Sequence, residues 1–115
     1  MYWITENLGT ASLSEAEYIE KLPDIKIEFV IDLIDGKQKN AGQFKSKVIH
    51  IEKLIKDGNK VVVICVGGIS RSNAVCLAYL VKSGMSFYEA HDLVNMKVPI
   101  AKIHPKLLDF MRRLG

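Results

Sequence analysis

The chain has little of what marks specialised environments. It has only two cysteines, Cys65 and Cys76, both in apolar surroundings. Two cysteines cannot build the disulfide framework of a small secreted domain, so a reduced, cytosolic setting is expected. The longest apolar stretch runs only from Ala74 to Val81, far short of the roughly 20 residues a spanning helix needs. Met1 to Gly9 includes Glu6 and has no basic start leading into an apolar run, so no secretory signal is expected. Neither sign of charge dominates: 16 Lys and Arg against 13 Asp and Glu leave a net charge of +3. That is too mild for a nucleic-acid binder, and the densest basic stretch, Lys37 to Lys47, reads as a solvated loop. His50, His91 and His104 are widely separated and lack metal-ligand spacing, so neither metal nor cofactor is expected. No internal repeat, linker or low-complexity segment interrupts the chain.

What is present is enough for a core. Hydrophobic residues make up 49% of 115 residues, which suits one compact domain over 1–115 and excludes disorder. Tyr2 to Thr5 reads as a short first strand, and Ser12 or Ser14 as the cap of a short helix that Pro23 stops. The β-branched run Ile27 to Ile34, closed by Asp35-Gly36, predicts a strand. Phe44, Val48, Ile51 and Ile55 recur at helical spacing up to Asp57-Gly58. Lys60 to Ile64 reads Lys-Val-Val-Val-Ile, and its continuous apolar run suits a central strand buried on both faces.

After two glycines, Ser72 to Ser83 is apolar nearly all round and predicts a buried helix. Ser86 and Glu89 form a capping box for a helix to about Lys97. Pro105 opens a last helix with the core stripe Leu107, Leu108, Met111 and Leu114. Strands alternating with helices imply an α/β fold: a central, mostly parallel sheet with helices on both faces.

The chemistry concentrates in Cys65-Val66-Gly67-Gly68-Ile69-Ser70-Arg71. The segment follows a strand and runs into a helix, the place where open α/β sheets bind ligands. Glycines let the backbone curl so that successive N–H groups converge on an anion, and the helix amino end adds partial positive charge. The same field stabilises a thiolate at Cys65. Arg71 can grip two phosphate oxygens at once. Ser72 is placed to hydrogen-bond the sulfur, and Ser70 to brace the loop. Cys76, eleven residues on, reads as a buried structural cysteine. The absence of Gly-Lys-Ser/Thr after the glycines excludes a nucleotide-binding P-loop.

The run Cys65-Val-Gly-Gly-Ile-Ser-Arg-Ser72 resembles the Cys-x-x-Gly-x-Ser-Arg-Ser signature of dual-specificity protein phosphatases, within the protein tyrosine phosphatase superfamily. Ala78-Tyr79-Leu80, Gly84-Met85-Ser86 and Glu89-Ala90 are similar to the family's following helices. Trp3-Ile4 and Val30-Ile31-Asp32-Leu33 are similar to its opening strands. The resemblance implies a cysteine-dependent phosphatase acting on phosphotyrosine, and on phosphoserine or phosphothreonine, of proteins. Its catalytic residues would be Cys65, Arg71, Ser72 and an aspartic acid about thirty residues before the cysteine. Asp35 fills that place, with Asp32 as the alternative. Val66, Gly67, Gly68, Ile69 and Ser70 would cradle the phosphate with Arg71. Relatives acting on phosphoinositides tend to carry lysines among these loop positions, so a protein substrate is the expectation. A monomer without membrane or nucleic-acid partners is expected.

Two features depart from the family pattern. Ile64 stands where the family usually has histidine, and the region between Asp35 and Phe44 is short. Two readings therefore stay open: an enzyme, or a non-catalytic phosphopeptide-binding relative. Other Cys-x5-Arg enzymes fit less well, because the Ser70-Arg71-Ser72 run matches the phosphatase signature.

Overall fold

A computed structural model describes residues 1–30 and 41–114. Nine elements organise them around one sheet. Strands β1 (Tyr2–Trp3), β2 (Leu8–Ser12), β3 (Ile25–Phe29) and β4 (Lys60–Cys65) lie in the order β1-β2-β4-β3. β4 runs parallel to both its neighbours, and β1 pairs antiparallel with β2. The sheet is thus mostly parallel, with one antiparallel edge.

Val61 to Ile64 of β4 are fully buried, as their unbroken apolar run predicts. Alternation splits them between two cores. Val61, Val63 and Cys65 join the larger cluster with Ala74, Val75, Leu77, Ala90, Val94, Leu107 and Met111. These residues come from α3 (Arg71–Lys82), α4 (Phe87–Lys97) and α5 (Pro105–Leu114); Phe44, Val48 and Ile51 of α2 (Ala41–Lys56) join them. Val62 and Ile64 face the other way, onto Ala16 and Ile19 of the short α1 (Ala16–Glu20). Helices therefore cover both faces; among the described residues, α1 is the one α-helix on the second.

The structure redraws the first third of the chain. The expected strand Tyr2 to Thr5 is only Tyr2–Trp3, because Ile4 and Thr5 donate their N–H groups to Leu8 O in a turn. The next strand, Leu8–Ser12, is absent from the pattern-based reading. Its Leu-Gly-Thr-Ala-Ser sequence has no β-branched run. It is a strand because it fits between β1 and β4. A Cβ on Gly9 would stand 2.9 Å from Trp3 Cε3 and 3.0 Å from Tyr2 O, so only glycine fits. Ser12 precedes a 3-10 turn, Leu13–Glu15, and its N–H donates to Glu15 Oε1 at 3.1 Å.

The strand expected over Ile27 to Ile34 starts earlier, at Ile25, and its regular pairing closes at Phe29. Val30 N–H still donates to Ile64 O at 2.9 Å. Ile31 to Ile34, Asp32, Asp35 and Gly36 lie outside the described residues. The helix expected from Phe44 starts at Ala41, and the one expected from Ser72 starts at Arg71. Ser86 caps α4 as expected, accepting from Glu89 N–H at 3.1 Å.

Because α1 is short, its hold on the sheet rests on Ile19, which is fully buried. Ile19→Ala is expected to lower stability by about 2–5 kcal/mol, read as a drop in the urea unfolding midpoint. Replacing its exposed neighbour Tyr18 by alanine should change stability by no more than about 0.5 kcal/mol.

Candidate active site

Cys65 is the last residue of β4, and the loop Val66 to Ser70 carries the chain from it into α3 at Arg71. The loop turns its carbonyls outward to donors from distant segments. Val66 O accepts from Leu13 N–H at 3.2 Å, and Ile69 O from Lys102 N–H at 2.9 Å. The buried Asn73 amide donates to Gly68 O at 3.1 Å and Ile69 O at 2.9 Å. Ser70 Oγ accepts from His104 N–H at 3.0 Å, tying the α4–α5 connection to the loop.

With carbonyls held outside, amides are free to face in. The backbone N–H groups of Ser72, Gly68 and Ile69 are directed at the Cys65 sulfur. That is the geometry of an anion nest. Gly68 makes the curl possible. Its φ of +68° lies in the left-handed region, and an added Cβ would meet Ser12 N at 3.0 Å and Ala11 C at 3.1 Å.

Cys65 is only 3% exposed. Burial by itself pushes a thiol pKa up. Here that push is outweighed by the Ser72 hydroxyl, 3.3 Å from the sulfur, and by the Ser72, Gly68 and Ile69 amides; the thiol is held below its ordinary value. Cys76 shows the contrast. It is fully buried, its best contact is Gly9 O at 3.8 Å, and burial followed by the nearby Cys65 charge pushes its thiol far up. The two thiols are thus set apart, the first held below its ordinary value and the second above it.

The structure thus brings Cys65, Val66, Gly67, Gly68, Ile69, Ser70, Arg71 and Ser72 into one loop and helix start. Arg71 is the first residue of α3 and is half-buried. Val66 and Ile69 are exposed at 56% and 43%, so the rim of the loop is apolar and uncharged. Asp35 and Asp32 cannot be placed, as both lie outside the described residues. Ile64 points away from the sulfur, into the cluster with α1. His50 pairs with Glu28 at 2.9 Å, and His91 stacks on Phe87. His104 meets the loop through its backbone.

Two residues escaped the sequence reading. Asn73 carried a weak signal, an amide in an otherwise apolar helix. Thr10 carried none: its hydroxyl reaches Ser72 Oγ at 2.6 Å across 62 residues of chain.

An α/β sheet whose central strand ends in an amide-ringed cysteine, followed at the sixth position by arginine, defines a Cys-x5-Arg phosphate-loop domain. The family model of the dual specificity phosphatase catalytic domain matches residues 7–114. The chain belongs to that family. It is 37% identical over 91 residues to human dual specificity protein phosphatase 6, covering 74% of this chain and 24% of that protein. It is 40% identical over 72 residues to a probable dual specificity protein phosphatase of Dictyostelium discoideum, covering 61% and 18%. The chain thus spans about a quarter or less of the length of these relatives. Among solved structures, a mouse putative dual specificity phosphatase complexed with zinc tungstate superposes with a TM-score of 0.85 at 20% identity, covering 97% of this chain and 84% of that one.

The lowered thiol gives a direct expectation. Cys65 should react with iodoacetamide at pH values below the ordinary thiol range, while Cys76 stays unreacted in the folded protein. Ser72→Ala removes the hydroxyl but not the burial, so the midpoint of the alkylation–pH curve should move up. Gly68→Ala costs about 1–2 kcal/mol through φ alone, and its Cβ also displaces the Ala11–Ser12 backbone. It should lower the melting temperature and abolish protection of Cys65 from alkylation by vanadate.

Proposed function

We propose that the protein hydrolyses phosphate monoesters of proteins, phosphotyrosine foremost and phosphoserine or phosphothreonine besides, through a phosphocysteine intermediate. The observation that carries this reading is the ring of Ser72, Gly68 and Ile69 amides and the Ser72 hydroxyl around a thiol held below its ordinary value. Such a ring binds an anion and supplies a nucleophile in one place.

In the proposed reaction the Cys65 thiolate attacks phosphorus and the P–O bond to the substrate breaks. The departing oxygen takes a proton from the Asp35 carboxyl. Arg71 and the loop amides carry the charge on the three non-bridging oxygens, where it is spread in the transition state. Water then attacks the phosphocysteine and gives its proton to the Asp35 carboxylate. The P–S bond breaks with its electron pair on sulfur, and the Ser72 hydroxyl stabilises the returning thiolate. The products are the free alcohol or phenol and inorganic phosphate.

Asp35 takes the acid role because it stands thirty residues before Cys65, in the segment that follows β3, whose continuation at Val30 is hydrogen-bonded beside Cys65, at Ile64; Asp32 of the same segment is the alternative. The uncharged rim of Val66, Gly67 and Ile69 suits a side chain presented by a polypeptide better than a multiply charged lipid headgroup. A reducing, cytosolic setting goes with the reading, because oxidation of Cys65 would remove the nucleophile.

Hydrolysis of an aryl phosphate is the test. Cys65→Ser should lose all measurable turnover, and Asp35→Asn should keep a burst only with an activated phenol leaving group. Arg71→Lys should lower kcat/KM by at least about 100-fold, since lysine cannot bind two oxygens in the plane. Equal rates for the protein and Cys65→Ser would exclude catalysis by this thiol. Phosphopeptide binding without any phosphocysteine would support the binding-module reading instead.

A further inference from the structure

We propose that Thr10, on β2, fixes the direction of the Ser72 hydroxyl so that its proton is given to the Cys65 sulfur. Thr10 would thus be a positioning residue for the proposed reaction. The inference rests on the catalytic reading of the loop, but its first test requires no turnover.

Three atoms form a chain: Thr10 Oγ1, Ser72 Oγ at 2.6 Å from it, and Cys65 Sγ at a further 3.3 Å. Thr10 and Ser72 are both fully buried, so water cannot complete their hydrogen bonds. Each hydroxyl has one proton to give. Ser72 Oγ is the one side-chain acceptor within reach of Thr10 Oγ1 among the described residues. With the Thr10 proton donated to Ser72, the Ser72 proton is left for the sulfur.

The reverse arrangement fails twice. If Ser72 donated to Thr10, the Thr10 proton would be buried without an acceptor among the described residues, and the full desolvation penalty of that group would stand uncompensated. The thiolate would also lose its side-chain donor. Donation into Ser72 Oγ further polarises its O–H toward the sulfur, as in any chain of hydrogen bonds in a low dielectric.

The position of Thr10 follows from sheet geometry. β2 lies beside β4, with Thr10 opposite Val63 and Ser12 opposite Cys65. Thr10 therefore shares the face of Val63 and Cys65, on which α3 packs. The relay serves two moments of the reaction. It stabilises the resting thiolate, and it stabilises the same charge as the P–S bond breaks.

The experiment compares wild type, Thr10→Val and Thr10→Ser by iodoacetamide alkylation of Cys65 across pH, followed by burst kinetics on an aryl phosphate. Valine keeps the shape and removes the hydroxyl; serine restores it. Thr10→Val should move the alkylation midpoint up and slow alkylation at neutral pH by about three- to tenfold, the worth of one hydrogen bond. Its kcat should fall further than its kcat/KM, with a larger phenol burst as phosphocysteine accumulates. Thr10→Ser should restore both. If the valine variant does not fold, Thr10→Ala provides the same comparison without added bulk.

An unchanged midpoint in a folded Thr10→Val or Thr10→Ala protein would overturn the proposal. So would a Thr10→Ser protein as impaired as Thr10→Val. A Thr10-dependent midpoint in a protein that shows no turnover would instead remove the catalytic reading and leave the positioning role standing.

Discussion

A negative charge on the sulfur of Cys65, a residue only 3% exposed, has to be balanced from inside the protein. Much of the site's architecture serves that constraint. The Gly68, Ile69 and Ser72 amides must point inward together, and a chain can do that only if its carbonyls point outward together. Outward carbonyls in turn need donors, because a half-buried carbonyl without a partner is costly. Leu13, Lys102 and Asn73 supply them. The inward turn of the amides is thus held by groups outside the ring.

These donors come from three separate parts of the chain: the connection after β2, the connection before α5, and the first turn of α3. The loop's shape is therefore a property of the assembled fold and not of the glycines alone. This bears on Ile64. Its side chain belongs to the cluster around α1, on the face opposite Cys65. A side chain pointing that way fills core and leaves the sulfur to the amides and to Ser72. The amides around the sulfur are thus arranged without a side chain from position 64.

The legible parts of the sequence were those whose cause is local. β4 shows in an unbroken apolar run because both its faces are covered. The loop shows in two glycines, two serines and an arginine at fixed spacing, because the whole turn from strand to helix is made within that segment. The caps and breakers of α4 and α5 are local for the same reason. β2 was illegible because its residues were selected by neighbours: Gly9 by the Trp3 ring and Tyr2 carbonyl, Thr10 by Ser72, Ala11 by the α1-side core. None of these neighbours shows in the local pattern. The end of β3 is a similar case. A run rich in β-branched residues predicts a strand from Ile27, whereas regular pairing with β4 begins at Ile25 and is described as far as Phe29, opposite Ile64.

That difference has a consequence for the chemistry. β4 ends at the cysteine, and β2 and the β3 edge end level with it, so three strands deliver their carboxyl ends to one rim. β2 supplies the partner of Ser72, β4 the sulfur, and β3 the departure point of the segment that contains Asp35. The separation of faces on β4 keeps these roles apart. Val62 and Ile64 hold α1 in place, while Val63 and Cys65 face α3 and the hydroxyl of Thr10. A change on the α1 face therefore meets core packing first, whereas Thr10 on the α3 face touches a hydroxyl that itself touches the sulfur.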